Sequence, residues 1–277
     1  MAGFSARRIL VTGMSGAGKS TALGELARLG FDVVETDVPP WSRWSQSAGG
    51  YVWEDARVAE LLEAERELTL YVSGTVSNQG RFYPRFDAVV LLSAPADVLL
   101  SRIAARTDNP FGKSEVERER IERDLAEVEP LLRATCTHEL DTNRPVADVV
   151  TDLVAIGAGA GMVAVRWCAE VGDHWIAPLH VHHEDDEAWY VISGALGFRL
   201  GDEEVVAGPG TRVVAPRGTP HTYWNASPSE SEYLLVMPPR IASLVEAVHE
   251  PEADMPAVFR AHASELLPAD RPQRATG

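Results

Sequence analysis

The sequence has 277 residues, 45% hydrophobic and 24% charged, which is the composition of a globular protein with room for two domains of ordinary size. Its formal charge is −16 and its pI is near 4.9, so it lacks the excess of Lys and Arg with which proteins bind phosphodiester backbones or anionic membranes. Nucleic acid and membrane surfaces are therefore excluded as expected partners, and a small-molecule substrate is favoured.

The sequence also predicts where the protein is located. No segment approaches the ~20 apolar residues of a membrane span, and Met1 is followed by a strand pattern rather than a secretory signal. Cys136 and Cys168 have no metal-type spacing, so we expect two reduced thiols. These features predict a cytoplasmic protein.

The first half of the chain alternates short apolar runs with helical patterns. Strands are predicted at residues 8–12, 31–35, 69–72 and 88–92. Helices are predicted at residues 20–29, 58–68, 97–106, 114–133 and 146–156. Uniformly apolar strands that alternate with helices are typical of a parallel sheet covered on both faces. We therefore predict an α/β doubly wound fold for this half.

A glycine-rich segment at residues 157–161 separates this half from a different pattern. Three glycines in five positions would destabilise a helix or a strand, so we predict a flexible linker between domains at residues 1–157 and 158–277. After the linker, short runs separated by Gly, Pro, Asp and Asn turns are typical of an antiparallel sandwich or barrel. The runs lie at residues 163–167, 187–192, 196–200, 204–206, 211–215 and 233–237. A closing helix is predicted at residues 241–248 and a loose tail after it.

The segment Gly13-Met14-Ser15-Gly16-Ala17-Gly18-Lys19-Ser20 lies between the first predicted strand and the first predicted helix. Its glycines permit a turn whose N–H groups point at a phosphate, Lys19 would place a positive charge on the β- and γ-phosphates, and Ser20 would ligate Mg²⁺. This context favours a loop that binds ATP and Mg²⁺ over an ordinary turn. The residues expected to contact the nucleotide are Gly13, Ser15, Gly16, Ala17, Gly18, Lys19, Ser20 and Thr21.

The longer pattern GxxGxGKST, which includes Gly16 and Thr21, resembles the small-molecule and nucleoside-monophosphate kinases, and the shikimate kinases in particular. The resemblance extends over residues 7–156 and implies a P-loop kinase fold. The segment Val34-Glu35-Thr36-Asp37 is similar to the acidic stretch with which shikimate kinases hold the acceptor hydroxyl and Mg²⁺. The resemblance implies that Asp37 orients or deprotonates the acceptor; a turn-capping role is the alternative.

Two arginines precede a segment that is similar to the lid of such kinases. Arg102 and Arg106 are one helical turn apart, and residues 107–113 follow as Thr-Asp-Asn-Pro-Phe-Gly-Lys. In these kinases lid arginines neutralise the transferring phosphoryl group while closure excludes water. Solvated surface arginines are the alternative. The catalytic residues that the resemblance implies are Lys19, Asp37, Arg102 and Arg106.

Two segments depart from the shikimate kinase pattern. Residues 73–79 stand where those kinases carry a glycine run, and residues 128–132 lack the arginine expected to bind the substrate carboxylate. These departures argue against shikimate itself as the acceptor. Trp41, Trp44 and Trp53 flank the expected acceptor cleft, where they either stack on a flat or glycosidic acceptor or pack as ordinary core residues.

The second half carries a candidate metal site. His180 and His182 alternate along a strand and therefore point the same way, while Glu187 and His221 come from other segments. Three imidazoles and one carboxylate suit Fe, Mn, Ni, Cu or Zn, and the ligand types do not choose among them. His183 breaks the alternation and is expected to face outward.

The spacing around these ligands resembles the two motifs of the cupin family. The matching patterns are His180-x-His182-x4-Glu187-x6-Gly194 and Gly210-x5-Pro216-x-Gly218-x2-His221-x3-Asn225. The resemblance covers residues 163–240 and is close to small single-barrel, quercetin-dioxygenase-like cupins. It implies an all-β double-stranded β-helix barrel, bound metal, an oxygenase or isomerase type of reaction, and a possible homodimer. Aromatic residues near the ligands either line a pocket or form the core: Trp189, Tyr190, Phe198, Tyr223 and Trp224.

Two functional hypotheses follow from these patterns. The first is a bifunctional enzyme, in which an ATP-dependent phosphotransferase for a small hydroxylated metabolite is fused to a metal-dependent cupin. The alternative is an ATP-binding regulatory protein whose cupin domain senses a small ligand. Acceptor-dependent release of ADP distinguishes the two, because only the first predicts it.

Overall fold

The computed structural model describes residues 6–107, 111–172 and 174–268. Asp108, Asn109 and Pro110 of the predicted lid therefore lie outside the described residues, as do residues 269–277 of the predicted tail. The chain divides into two compact units, the first ending at Ala158 and the second beginning at Gly159, with residues 28–30 grouped with the second.

The first unit is an α/β fold. Its strands are β1 (Arg8–Thr12), β2 (Asp32–Glu35), β3 (Ser42–Ser45), β4 (Gly50–Trp53), β5 (Leu70–Ser73), β6 (Ala88–Ser93) and β7 (His138–Asp141). Its α-helices are α1 (Lys19–Arg28), α2 (Asp55–Glu63), α3 (Ala96–Ala105), α4 (Glu115–Glu127), α5 (Glu129–Thr135) and α6 (Val146–Ala158), and residues Gln79–Arg85 form a 3₁₀ helix. Five strands form a parallel sheet in the order β2-β5-β1-β6-β7, whereas β3 and β4 form an antiparallel hairpin.

The three central strands of this sheet explain the predicted pattern. All four residues of β5 and all six of β6 are buried, as are the last four of β1. Strands buried on both faces read as continuous apolar runs. The predicted parallel sheet with flanking helices is confirmed, and its carboxyl edge places the segments after β1, β2, β5 and β7 side by side.

Two sequence predictions in this unit are wrong. The predicted helix at residues 114–133 is two helices, α4 and α5, separated at Val128. Pro130 lacks the N–H that a continuous helix would use, which explains the break. Gly157 does not belong to a flexible linker, because it is buried within α6.

The second unit is an antiparallel β-structure. Its strands are β8 (Val163–Ala169), β9 (His180–His182), β10 (Glu187–Ser193), β11 (Leu196–Leu200), β12 (Glu203–Ala207), β13 (Arg212–Ala215), β14 (His221–Asn225), β15 (Ser231–Met237) and β16 (Ser264–Leu266). Its helices are α7 (Pro239–Ala247) and α8 (Met255–Ala261). Two sheets form, in the orders β13-β10-β15-β8 and β12-β11-β14-β9-β16, and both contribute to one apolar core.

The prediction of a loose tail after residue 248 is wrong for the part of the tail that the structure describes. α8 follows α7, and β16 pairs antiparallel with β9. The Asp254 side chain caps α8 by accepting a hydrogen bond from the Ala257 N–H, and Phe259 anchors the helix in the core. The stretch after residue 248 is rich in Ala, Pro and Asp, which predicts a loose tail. One helix cap and one buried aromatic side chain nevertheless hold the described part of this stretch in a defined structure.

Candidate phosphate-binding and metal-binding sites

The phosphate loop connects β1 to α1 at the carboxyl edge of the parallel sheet. Gly13, Gly16 and Gly18 have φ values of 147°, 84° and 91°, a region that side chains rarely adopt. A Cβ added to Gly13 would lie 2.3 Å from the Leu92 carbonyl oxygen, and one on Gly16 would lie 2.7 Å from that of Leu99. Both the conformation and the surrounding backbone therefore require glycine at Gly13 and Gly16.

Lys19 and Ser20 begin α1 and face the loop. The Lys19 ammonium donates hydrogen bonds to the carbonyl oxygens of Gly13 at 2.6 Å and Met14 at 3.4 Å. The Ser20 hydroxyl donates to the Glu35 carboxylate at 3.1 Å. The cation, the hydroxyl and a carboxylate from the end of β2 thus meet at one place, as a site for a magnesium-bound phosphate requires.

The charge state of Lys19 depends on two opposing influences. Burial lowers the pKa of its ammonium below the usual value, while the carboxylates of Asp37 and Glu35 raise it. The Asp37 carboxylate lies 3.9 Å from the Lys19 nitrogen. Asp37 therefore favours the protonated form that attracts phosphate.

Asp37 is held at the site by the loop that follows β5. Its carboxylate accepts a hydrogen bond from the Thr75 backbone N–H at 2.8 Å. The Thr75 hydroxyl in turn donates to the Gly13 carbonyl oxygen at 2.7 Å. Thr75 therefore links the acidic segment to the phosphate loop, a role that the sequence does not predict.

The predicted lid arginines also reach the phosphate loop. Arg106 donates to the Ser15 hydroxyl at 3.2 Å, and Arg102 lies 3.4 Å from the Gly16 carbonyl oxygen. Arg102 is fixed by Thr142, whose hydroxyl and carbonyl oxygens it contacts at 3.0 and 2.7 Å. Both side chains therefore face the loop rather than bulk solvent, and their catalytic role stays a prediction.

These groups line one cavity of about 770 Å³. The lining includes every residue from Gly13 to Thr21 together with Glu35, Asp37, Thr75, Arg102, Arg106, Thr142 and Arg144. Thr142 and Arg144 follow β7 and are not among the predicted site residues, because the sequence does not predict this short polar strand.

The three tryptophans of the first unit have different environments. Trp53 is a core residue whose indole N–H donates to the Thr36 hydroxyl at 2.8 Å. Trp41 is partly buried against the same core. Trp44 is 49% exposed, packs edge-on against Tyr51, and lies under the Arg120 guanidinium at 5.5 Å. Stacking on an acceptor is therefore wrong for Trp53 and stays a prediction for Trp41 and Trp44.

The candidate metal site lies in the second unit and brings together all four predicted ligands. One nitrogen or oxygen atom from each of His180, His182, Glu187 and His221 lies within 4.8 Å of the others, and all four residues are buried. His221 Nε2 lies 3.1 Å and His182 Nε2 lies 3.4 Å from the same Glu187 oxygen. The residues present therefore fit a divalent transition metal, by both donor type and separation.

The second nitrogen of each imidazole has its own hydrogen-bond partner. His180 Nδ1 lies 2.7 Å from the Pro178 carbonyl oxygen, and His221 Nδ1 lies 2.9 Å from that of Thr219. His182 Nδ1 lies 2.8 Å from the Ser264 hydroxyl. Such partners orient the rings and leave Nε2 available to a metal.

Burial and neighbouring charges favour the ligand forms that bind metal. Burial, together with the neighbouring His221 and His182 imidazoles, lowers the pKa of His180 to about 3. Burial raises the pKa of Glu187, but its contacts with the His182 and His221 imidazoles outweigh this and hold the pKa below its usual range. A neutral His180 and an ionised Glu187 are the metal-binding forms.

The aromatic residues near this cluster belong to the core. Buried positions are taken by Trp189, Tyr190, Phe198, Tyr223 and Trp224. The Trp189 ring packs edge-on against His221 with centroids 5.7 Å apart. His183 faces outward beside Glu265, as its position in the strand predicts.

Comparison with known proteins agrees with the two families that the sequence resembles. A family model described as an AAA domain matches residues 9–123, and one described as a cupin domain matches residues 167–237. A shikimate kinase from Halorhodospira halophila is 30% identical over 173 residues, which cover 57% of this chain and 90% of that protein. The chain belongs to the shikimate kinase family. Its second unit contains a cupin domain.

Two solved structures are also similar to parts of this chain. A shikimate kinase from Acinetobacter baumannii, in complex with shikimate, is 22% identical and matches 55% of this chain and 93% of its own, with a TM-score of 0.42. TT1209 from Thermus thermophilus is 32% identical and matches 28% of this chain and 72% of its own, with a TM-score of 0.26.

None of the helices within residues 6–107, 111–172 and 174–268 is both long enough and apolar enough to span a bilayer.

Proposed function

We propose that the protein is a bifunctional enzyme, in which the first unit transfers a phosphoryl group from ATP to a hydroxyl of a small hydroxylated metabolite and the second is a metal-dependent cupin. The observation that carries the kinase assignment is the shared cavity of the phosphate loop, two carboxylates and two arginines. A P-loop alone would fit many nucleotide-binding proteins. The added carboxylates and arginines are what phosphoryl transfer to a bound acceptor needs.

Each residue of this cavity has a defined task in the proposal. The backbone N–H groups of residues 13–18 and the Lys19 ammonium bind the phosphates, while Ser20 and Glu35 hold Mg²⁺, which would neutralise phosphate charge when bound. Asp37 orients the acceptor hydroxyl and accepts its proton. Arg102 and Arg106 stabilise the negative charge of the transferring group.

The cupin assignment depends on the four buried ligands. His180, His182, Glu187 and His221 would hold Fe, Mn, Ni, Cu or Zn, which would supply Lewis-acid or redox chemistry for an oxygenase or isomerase type of reaction. The metabolite would be the kinase substrate or product, or a neighbouring compound. We propose that the enzyme acts in the cytoplasm, without nucleic acid or membrane partners, and forms a homodimer through its cupin unit.

ADP release tests the kinase proposal. Mg-ATP is offered with a panel of nucleosides, nucleoside monophosphates, sugars, polyols and hydroxylated acids, and Lys19→Ala is the control. We expect one chemical class to stimulate ADP release by the wild type and not by Lys19→Ala, because the lysine charge is needed on the phosphates. ATP binding with no stimulation by any class would contradict the kinase proposal.

The alternative is an ATP-binding regulator in which the cupin unit senses a ligand. One observation favours it: all four metal-binding side chains are buried, at 5% exposure or less. Zinc sites with four protein ligands are usually structural, whereas catalytic zinc sites use three and keep the fourth position open to substrate. In the ADP-release experiment this alternative predicts ATP binding that no acceptor converts into ADP.

A further inference from the structure

The three imidazoles of the metal site differ in what fixes their orientation. His180 and His221 each place Nδ1 beside a backbone carbonyl oxygen. His182 instead places Nδ1 beside a side chain, the Ser264 hydroxyl, which comes from β16 and is 82 residues later in the chain. His182 is therefore the imidazole of the described cluster whose orientation a single side-chain substitution can change.

The hydrogen bonds of Ser264 fix the position of the proton on His182. The Ser264 hydroxyl lies 3.0 Å from the His262 carbonyl oxygen, which can only accept, so the hydroxyl donates its proton there. A lone pair of the hydroxyl is then left to face His182, whose Nδ1 must carry a proton to complete the 2.8 Å contact. In the neutral imidazole, Nε2 of His182 is then unprotonated and can ligate a metal.

The same part of the chain also covers His180. The Phe259 ring of α8 packs edge-on against the His180 ring, with centroids 5.4 Å apart, and is itself buried. β16 pairs with β9 so that Ser264 lies opposite His182, and the His183 N–H donates to the Ala263 carbonyl oxygen at 2.9 Å. Side-chain and backbone contacts therefore join residues 254–266 to the strand that carries two ligands.

We propose that Phe259 and Ser264 of residues 254–266, here called the closing segment, are part of the metal centre. Ser264 is a positioning residue that holds His182 in its metal-binding tautomer, and Phe259 closes the site over His180. This proposal rests on the proposed binding of metal by the cupin unit. Because a ligand stabilises the conformation that binds it better, metal binding stabilises the packed closing segment, and the packed segment in turn strengthens metal binding.

Metal affinity tests the role of Ser264. Zn²⁺ binding to the full chain is measured by competition with a chelator, for the wild type, Ser264→Ala and Glu265→Gln. Glu265 is the matched control, since it is the next residue of β16 and its side chain is 59% exposed. We expect Ser264→Ala to weaken Zn²⁺ binding about 10–100-fold, the usual effect of removing the partner of a metal-binding histidine. Glu265→Gln should bind Zn²⁺ like the wild type.

Hydrogen exchange of the wild type tests the coupling without any substitution. On addition of Zn²⁺ we expect slower exchange of the His183 amide and of amides in the closing segment. This proposal alone would be overturned if the wild type and Ser264→Ala bind Zn²⁺ with equal affinity. It would also be overturned if Zn²⁺ binds the wild type but leaves hydrogen exchange in the closing segment unchanged. A wild-type protein that binds neither Zn²⁺ nor another divalent transition metal would overturn the cupin proposal and this one together.

Discussion

Lys19 is the residue whose charge most directly controls the phosphate site. Its ammonium is enclosed by the phosphate loop, where burial disfavours the charged form and the Asp37 carboxylate at 3.9 Å favours it. Asp37 therefore serves the nucleotide as well as the acceptor in this account. The pH dependence of ATP binding separates these two roles, since it requires no acceptor.

We expect Mg-ATP affinity to fall as the pH rises, and the fall should begin at a pH below the usual pKa of a lysine. The reason is that the protonated amine binds phosphate and burial lowers the pKa of Lys19. Asp37→Asn removes a carboxylate that raises this pKa, so the loss of affinity should begin at a lower pH. The measurement is the dissociation constant of Mg-ATP as a function of pH for both proteins.

Asp124→Asn is the control for this pH profile. Asp124 also lines the cavity, but its ion-pair partner is Arg120, at 3.7 Å. In Asp124→Asn, Mg-ATP affinity should fall at the same alkaline pH as in the wild type. If affinity also fell at the same pH in the wild type and Asp37→Asn, Asp37 would not control the charge of Lys19.

At the scale of elements, α6 is fitted to the central sheet through a glycine. A Cβ added to Gly157 would lie 2.0 Å from the Tyr71 hydroxyl, which donates a hydrogen bond to the Leu153 carbonyl oxygen at 2.9 Å. Tyr71 belongs to β5 and is fully buried. Gly157 thus allows the last turn of α6 to pack closely on β5, which is why a helix continues through a glycine that otherwise indicates a linker.

Gly157→Ala should destabilise the first unit by about 1–3 kcal/mol, the usual cost of forcing an extra methyl group into a packed core. Gly24→Ala is the matched control, because Gly24 also lies in a helix and a Cβ there would meet no atom within 4 Å. That variant should be more stable by about 0.5–1 kcal/mol. Urea unfolding and hydrogen exchange of β1 and β5 measure the stability changes of both variants. Equal stability of the two variants would contradict the packing argument.

The elements that sequence reasoning predicts are those whose pattern is local. β6 is six buried residues, and its apolar run is visible in the sequence. β7 has three exposed polar residues and one half-buried leucine, and β16 has three residues of which one is buried, so neither has a recognisable pattern. Both strands exist because they pair with partners far away in the chain, β6 and β9.

The candidate sites divide in the same way. The phosphate loop is one continuous motif, and the four candidate metal ligands have the spacing of the two cupin motifs, so the sequence predicts their residues. Thr75, Thr142 and Ser264 are not predicted, because each lies in or just after a separate strand whose position depends on the order of strands in the sheet. The helix break before Pro130 is the opposite case, since the proline is a local signal for it.

In the molecule as a whole, the two units carry two separate candidate sites. The phosphate cavity is lined by residues 13–22 and others up to Val149, whereas the metal ligands lie between His180 and His221. Each unit has an apolar core of its own. Because the two sites share no residue, the account predicts that one can be disabled while the other stays intact.

ADP release and metal content, measured in the same preparations of the wild type and Lys19→Ala, test this independence directly. We expect Lys19→Ala to lose acceptor-stimulated ADP release, since the phosphates lose their main cation, but to retain the wild-type content of bound transition metal. Loss of both properties in this folded variant would contradict the account of two independent sites.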